Sequence, residues 1–196
     1  MVNILLNNKK NFSYIELITG CMFAGKTEEF IRKITRLRFA NYKIQVFKPE
    51  IDKRYSETDI VSHSKKTIVA QPVTKAIDIL KLIKKDTNVV GVDEVQFFDE
   101  EIIKIIEFLA DKNIIVIVAG LDRDFKKDPF LNTEKLFYKA DFVHKLNAVC
   151  NRCGGAGTLT QRLINGKPAS KKDPIVLIGS EENYQARCRH CHELFN

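Results

Sequence analysis

The sequence predicts an α/β fold in which a mostly parallel sheet is flanked by helices and is followed by a small metal-binding domain. Two observations lead to this fold class. Apolar segments of strand length alternate with segments of helical periodicity up to about residue 149. Beyond that residue the helical periods stop, and short strand-like segments with glycine turns and paired cysteines begin. We therefore predict one domain at residues 1–149 and a second at 150–196.

The elements of the first domain follow from the apolar pattern. Strands are predicted at 13–19, 43–48, 89–93 and 114–119, and helices with an inward apolar stripe at 27–41, 72–85 and 99–112. The polar stretch at 50–71 fits neither element and has the length of a functional loop. In the second domain, Asn165-Gly166 is typical of a hairpin turn. The predicted strands end beside candidate functional residues, so we expect the site at the carboxyl edge of the sheet.

The segment from Gly20 to Thr27 reads GCMFAGKT, the pattern of a phosphate-binding loop between a strand and a helix. The two glycines permit torsions and close approach that a Cβ would block, so successive N–H groups can face one phosphate. Lys26 can reach the β- and γ-phosphates, and the Thr27 hydroxyl can bind Mg²⁺. The motif predicts a P-loop NTPase core that uses ATP or another nucleoside triphosphate. The predicted nucleotide-binding residues of this loop are Gly20, Cys21, Met22, Phe23, Ala24, Gly25, Lys26 and Thr27.

Two acids, Asp93 and Glu94, lie at the end of the apolar strand at 89–93. An acid at this place in a P-loop protein holds Mg²⁺, and a neighbouring carboxylate can act as a general base. The base takes its proton either from water, as in an ATPase, or from an acceptor hydroxyl, as in a kinase, and the spacing does not choose between them. The next two residues, Val95 and Gln96, are included among the predicted nucleotide-binding residues.

The cysteines predict a structural metal site. Four of the five form two C-x-x-C pairs, at Cys150, Cys153, Cys188 and Cys191. Four thiolates on two such turns suit tetrahedral zinc. Because the interval between the pairs is long, we expect zinc to clip the base of a loop at 156–183. His190 and His192, beside the second pair, are either bystanders or substitute ligands.

Composition limits the classes of function. The chain has 196 residues and a formal net charge of +7, which fits polyphosphate binding as well as nucleic-acid binding. The lysines are spread along the chain and form no dense basic stripe, which argues against nucleic acid as a partner. We expect no secretory signal and no membrane span, and paired cysteines without a disulfide framework predict a cytoplasmic protein.

For two further groups of residues, the sequence is compatible with either of two roles. Asp52 and Arg54 follow the second predicted strand, and they either join the metal and phosphate site or are solvated loop charges. Four aromatics in the loops after later strands either stack a base or pack the core. They are Phe97, Phe98, Phe125 and Phe130.

Together these motifs resemble the type II thymidine kinase family over about Tyr14 to Glu193. The resemblance is carried by GCMFAGKT at 20–27, FKPEIDKRY at 47–55, DEVQFF at 93–98, GLDRDFKKDPF at 120–130, KLNAVCNRCGGAGTLTQRL at 145–163 and IGSEENYQARCRHC at 178–191. It implies ATP-dependent phosphorylation of the thymidine 5′-hydroxyl to dTMP, which supplies DNA synthesis by nucleoside salvage. It also implies a homotetramer and feedback binding of dTTP.

The resemblance assigns roles to individual residues. It implies that Glu94 is the base, that Lys26 and Arg54 stabilise the transferring phosphoryl group, and that Asp52 joins Thr27 and Asp93 near Mg²⁺. It also implies a lasso loop, held at its root by zinc, that closes over thymine largely through main-chain contacts. The implied nucleoside-binding residues are Met22, Phe97, Leu121, Phe125, Phe130, Thr160, Ile175, Ile178, Gly179 and Tyr184.

Some positions depart from the family pattern, and two other functions remain as alternatives. Cys21 stands where the family usually has proline, and Ser64-Lys65 replace the usual Asp-Gly after His63. One alternative is a zinc-ribbon P-loop ATPase that acts on nucleic acid. The other is a binding module with a regulatory nucleotide, which the Asp93–Glu94 pair disfavours because a switch needs no base.

Overall fold

The computed structural model describes residues 12–51, 59–61, 67–175 and 183–195, and its elements follow the predicted alternation. The strands are β1 Ile15–Gly20, β2 Ile44–Pro49, β3 Asp59–Val61, β4 Thr67–Val69, β5 Gln71–Val73, β6 Val89–Val92, β7 Ile115–Leu121, β8 Phe142–Leu146, β9 Ala148–Val149, β10 Ala156–Gly157, β11 Leu159–Ile164, β12 Lys167–Pro168 and β13 Tyr184–Arg187. The helices are α1 Lys26–Phe39, α2 Asp78–Leu82, α3 Glu101–Asp111 and α4 Leu131–Lys139, with a 3₁₀ turn at Val95–Phe97.

A six-stranded sheet in the order β5-β2-β6-β7-β1-β8 forms the centre of the chain. Every neighbouring pair in it is parallel, which confirms the predicted fold class. Because β7 lies between β1 and β6, the ends of these three strands meet at one edge. Gly20 and Leu121 are paired there, and Asp93 follows Val92, whose partner on β7 is Val118.

Helices cover both faces of the sheet. The predicted stripe of α1 is confirmed, since Phe30, Ile31 and Ile34 are buried against one face. The predicted inward residues of α3 are buried against the other face: Ile102, Ile103, Ile106 and Leu109. In the part of the chain that the structure describes, no helix is long and apolar enough to cross a bilayer.

The predicted helix at 72–85 is wrong over its first half. Residues Gln71–Val73 form β5, whose partner is the end of β2, and only Asp78–Leu82 is helical. Pro72 is tolerated because β5 is an edge strand, where a missing N–H leaves no ladder bond unmade. Sequence analysis also missed α4 and β8, which complete the sheet and its covering layer.

The carboxyl part of the chain has a different architecture. Short antiparallel pairs replace the parallel sheet: β9 pairs with β10, and β11 lies between β12 and β13. The predicted hairpin is confirmed, since Asn165 and Gly166 join β11 to β12 with φ values of 50° and 77°. Two positive φ angles in a two-residue loop are typical of a type I′ turn.

Candidate active site

The phosphate loop begins at the end of β1, which lies between β7 and β8. Gly20 pairs with Leu121 of β7 and with Leu146 of β8, and it has a φ of 142°. A Cβ at this position would lie 2.3 Å from the Leu146 carbonyl oxygen, so no other residue fits. Gly25 ends the loop at a φ of 78° and accepts the first bond of α1, from Glu29 N to its carbonyl oxygen at 3.0 Å. The helix N-terminus therefore faces the loop concavity, as phosphate binding requires.

Lys26 lies among the carboxylates of the neighbouring strands. Its Nζ donates to the Cys21 carbonyl oxygen at 2.8 Å, across the loop. Burial lowers the pKa of Lys26, and the negative charges of Glu94, Asp93 and Asp122 oppose that effect. The ammonium is thus placed between the loop backbone and the acids that end β6 and β7.

The two acids after β6 are held in one defined arrangement. Asp93 Oδ1 accepts the Glu94 N–H at 2.9 Å, and both side chains are buried. Glu94 adopts the left-handed conformation, with φ of 51° and ψ of 42°. Such a conformation costs a non-glycine residue about 1–2 kcal/mol, so the surrounding contacts must impose it. The turn swings the Glu94 side chain out of the strand direction.

Gln96 fixes the orientation of the Glu94 carboxylate. Its Oε1 accepts the Leu121 N–H at 3.0 Å, which leaves its Nε2 to donate to Glu94 Oε2. The Gln96 amide cannot flip without losing both bonds. A Cβ on Gly120 would lie 2.7 Å from Gln96 Oε1, so the close approach of β7 also depends on this glycine.

The 3₁₀ turn that follows Glu94 is held from α4. Asn132 Nδ2 donates to the carbonyl oxygens of Val95 at 3.1 Å and Phe98 at 2.8 Å. Val95 itself is fully buried in the core, so only its main chain can face a nucleotide. The helix that sequence analysis missed therefore supports the position of the predicted base.

A charged group that sequence analysis missed lies after β7. Asp122 Oδ2 accepts from Arg123 Nε at 3.2 Å and from Lys145 Nζ at 3.1 Å. Arg123 Nη2 also donates to the Thr158 carbonyl oxygen at 2.9 Å. These bonds join the end of β7 to β8 and to the strand-rich part that follows. The neighbouring Asp124 caps its own turn, and burial raises the pKa of its carboxyl.

Aromatic rings line the region between the 3₁₀ turn and β11. Phe97 and Phe130 meet edge to face, with ring centroids 6.3 Å apart. The buried ring of Phe125 lies 5.2 Å from the guanidinium carbon of Arg162, and that carbon lies 6.0 Å from the Tyr184 ring. The structure therefore pairs Phe97 with Phe130, and it joins Phe125 to Tyr184 through Arg162, a buried cation that sequence analysis missed.

Two hydrogen bonds join the phosphate loop to the cysteine-bearing strands. Met22 N donates to Thr160 Oγ1 at 3.1 Å, and Cys21 Sγ donates to the Gly157 carbonyl oxygen at 3.2 Å. Burial raises the pKa of the Cys21 thiol, which keeps it neutral and unreactive. Where the family usually has proline, this chain thus has a side chain that bonds to β10.

The four paired cysteines converge as predicted. One sulfur from each of Cys150, Cys153, Cys188 and Cys191 lies within 4.8 Å of the other three. Backbone bonds shape both turns, from Gly154 N to the Cys150 carbonyl oxygen at 2.9 Å and from Cys191 N to the Cys188 carbonyl oxygen at 3.1 Å. Four thiol groups in this arrangement fit tetrahedral zinc.

The two histidines beside the cysteines differ in their surroundings. His190 is exposed. His192 is buried, and its Nε2 lies 3.0 Å from the Phe125 carbonyl oxygen and 3.2 Å from that of Thr160. Burial lowers the pKa of His192, with the positive charges of Lys127 and Arg123 adding to the effect.

Several predicted residues lie outside the described part of the chain: Asp52, Arg54, His63, Ser64, Lys65, Ile178 and Gly179. Ile175 is described and its side chain is 46% exposed. The arrangement that the described residues form contains a phosphate loop, an oriented carboxylate pair and a set of aromatic residues that we call the aromatic wall: Phe97, Phe125, Phe130 and Tyr184. Such a site can position a triphosphate beside a flat acceptor and remove a proton from that acceptor.

Comparison with known proteins adds the family. One solved structure, the Thermotoga maritima RuvB Holliday junction branch migration motor, is 12% identical with a TM-score of 0.40. The match covers 68% of this chain and 38% of that one, so this chain spans well under half the length of that protein. The family model described as thymidine kinase matches residues 13–192, which is most of the chain. This chain therefore belongs to the thymidine kinase family.

Proposed function

We propose that the chain transfers the γ-phosphoryl group of ATP to the 5′-hydroxyl of thymidine, giving dTMP for DNA synthesis by nucleoside salvage. The observation that carries this proposal is the Glu94 carboxylate, which Gln96 orients at the strand edge beside Lys26. A carboxylate that is fixed in this way suits proton removal from one defined hydroxyl.

The donor half of the site is the phosphate loop. Its backbone N–H groups and the N-terminus of α1 bind the phosphates of ATP, and Lys26 moves from the Cys21 carbonyl oxygen to the β- and γ-phosphates. Thr27, Asp93 and Asp52 provide the hard oxygen ligands that Mg²⁺ prefers. Bound there, Mg²⁺ supplies neutralisation of phosphate charge. We also assign nucleotide contacts to Phe23, Ala24, Val95 and Gln96 through their main chain.

The acceptor half is built around Glu94. The thymidine O–H bond breaks, its proton passes to the Glu94 carboxylate, and the oxygen forms a bond to the γ-phosphorus. The bond from that phosphorus to the bridging oxygen breaks, and its electron pair stays on ADP. Lys26 and Arg54 stabilise the negative charge that spreads over the transferring group.

The nucleoside pocket is proposed along the aromatic wall. Phe97, Phe125 and Phe130 provide flat apolar surface for thymine, and Met22 and Thr160 bring the phosphate loop to its edge. Arg162 lies over the rings of both Phe125 and Tyr184 and holds the two rings in fixed positions relative to each other. The remaining proposed contacts come from Leu121 and from the lasso loop, with main-chain groups near Ile175, Ile178 and Gly179.

The cysteine-bearing part, residues 150–196, is proposed as a zinc domain whose role is structural. The segment predicted as a loop at 156–183 contains β10, β11 and β12, so the loop prediction is wrong over that part. Both ends of the segment lie beside a cysteine pair, so we propose that the metal holds its root while the part after β12 closes on the base. The clustering of all four sulfurs supports this role. Residues 1–149 form the P-loop domain under the same proposal.

Three wider properties are proposed from the family alone. The enzyme assembles as a homotetramer, it is inhibited by dTTP bound in the acceptor site, and it works in the cytoplasm. We propose no nucleic acid and no membrane among its partners. The spread of charged residues supports the first of these exclusions, since no dense basic stripe is present in the sequence.

A product assay with several nucleosides tests the proposal. The purified chain is incubated with MgATP and, separately, thymidine, deoxyuridine, deoxycytidine, deoxyadenosine or deoxyguanosine, and the monophosphates are separated. We expect dTMP as the main product, with purine nucleosides unchanged because the aromatic wall and loop fit a small base. Preferential phosphorylation of a purine nucleoside would contradict the proposed acceptor.

A further inference from the structure

His192 occupies a place between the metal site and the proposed nucleoside pocket. It directly follows Cys191, and it is buried. Its Nε2 lies 3.0 Å from the carbonyl oxygen of Phe125 and 3.2 Å from that of Thr160. Both neighbours are acceptors only, so Nε2 carries the hydrogen and donates to both.

The backbone that carries this ring is itself anchored to β11. Gln161 Oε1 accepts the Glu193 N–H at 2.8 Å, and Gln161 Nε2 donates to the Glu193 carbonyl oxygen at 2.9 Å. Because Gln161 is buried, this two-point contact fixes the segment after Cys191 against β11. The His192 ring is consequently held from one side by the cysteine turn and from the other by the strand.

The two carbonyl groups that His192 joins belong to Phe125 and Thr160, two residues of the proposed nucleoside pocket. Thr160 Oγ1 accepts the Met22 N–H of the phosphate loop at 3.1 Å. The Phe125 ring packs on Arg162, the cation that also stacks on Tyr184. Moving either carbonyl group would therefore move the aromatic wall relative to the phosphate loop.

We propose that His192 is a positioning residue that transmits the geometry of the four-cysteine site to the nucleoside pocket by holding the main chains of Phe125 and Thr160 together. It touches neither substrate nor metal in this role. The inference rests on the proposed function only for the identity of the nucleoside. The role of His192 in holding the main chains of Phe125 and Thr160 does not depend on which nucleoside binds.

Three variants of His192 and one matched control test this role. His192→Gln places an amide donor near the position of Nε2, His192→Asn has a donor too short to reach, and His192→Phe keeps a ring without a donor. His190→Gln changes the exposed histidine on the other side of Cys191. Zinc content and melting temperature are measured for each, together with kcat and the KM values for thymidine and ATP.

We expect His192→Phe and His192→Asn to raise KM for thymidine by roughly threefold to thirtyfold, the effect of losing one buried donor. KM for ATP should change much less, zinc should stay bound, and His192→Gln and His190→Gln should resemble the wild type. A purely structural role would instead lower melting temperature or zinc content with no preference between the substrates. Equal thymidine KM in the Gln, Asn and wild-type proteins would overturn the inference.

Hydrogen exchange without substrate separates this inference from the proposed function. In zinc-loaded His192→Phe we expect faster amide exchange at 121–130 and 157–163 than in the wild type, and unchanged exchange there would overturn the inference. A wild-type chain that fails to phosphorylate thymidine would contradict the proposed function alone. If His192→Phe does not fold, the comparison of His192→Gln with His192→Asn, by exchange and by KM, decides the question.

Discussion

Replacing Gln96 by Met should displace the pH range in which the enzyme is active. Methionine keeps the length and volume of glutamine but removes both the donor to Glu94 and the acceptor for Leu121 N. A hydrogen bond to a charged group contributes about 1.5–3 kcal/mol. Because this bond favours the charged form, its loss should raise the pKa of Glu94. A free energy of about 1.4 kcal/mol corresponds to one pH unit in the acidic limb of the activity profile.

The sign follows from the chemistry of the base. Under the proposed mechanism Glu94 must be a carboxylate, so kcat/KM should fall as the pH drops and this carboxylate is protonated. Without the Gln96 donor the carboxylate is less stable, and the acidic limb should move to higher pH by roughly one to two units. Because the Glu94 carboxylate is no longer held in one orientation, kcat at the optimal pH should also fall by roughly tenfold to a hundredfold.

The assay is kcat/KM for thymidine between pH 5 and 9 at saturating MgATP, with Gln45→Met as the matched control. Gln45 lies at the start of β2, at the opposite end of the sheet from Glu94. It accepts from Lys84 N at 2.7 Å and donates to the Leu82 carbonyl oxygen at 3.0 Å. Both variants should lower the melting temperature, and only Gln96→Met should move the acidic limb. An unmoved limb in Gln96→Met would refute the orienting role of this amide.

Three other changes have defined outcomes. Glu94→Gln should keep ATP binding, measured by calorimetry, and lower kcat by about 10²–10⁴-fold, and near-normal turnover would remove Glu94 as the base. Cys188→Ser should release zinc, measured by metal analysis, and raise KM for the nucleoside more than for ATP. Wild-type protein that holds no zinc after purification would contradict the proposed structural zinc site. Gly20→Ala should prevent stable folding, since its Cβ would lie 2.3 Å from the Leu146 carbonyl oxygen. In the control Gly166→Ala the new Cβ meets nothing within 4 Å and adds only backbone strain, so its melting temperature should fall much less. Equal melting temperatures in the two variants would contradict this prediction.

Local patterns were sufficient for the phosphate loop and most of the core. GCMFAGKT encodes its own turn, and the apolar stripe of α1 is readable because Phe30, Ile31 and Ile34 recur at helical spacing. The two C-x-x-C pairs likewise predicted the convergence of the four cysteines, since each C-x-x-C turn is a local pattern. The family inferred from these motifs is confirmed by the match over residues 13–192.

Contacts between distant segments explain what the sequence did not predict. Pro72 lies in a strand because β2 offers an edge there, which no local propensity reveals. The orienting role of Gln96 depends on Leu121 N, and the place of Arg162 depends on rings at 125 and 184. In β8 the pattern FVHKL mixes charged and apolar residues, because this edge strand is only partly buried.

The stoichiometry of ADP and dTMP tests the central claim most directly. The wild-type chain is given MgATP with thymidine, with water alone, or with DNA, and both products are measured over time. The account predicts one dTMP for each ADP with thymidine, and little ADP in the other two reactions, because Glu94 is aimed at a nucleoside hydroxyl. ADP without dTMP, formed faster with DNA, would show that Glu94 activates water and would contradict the account.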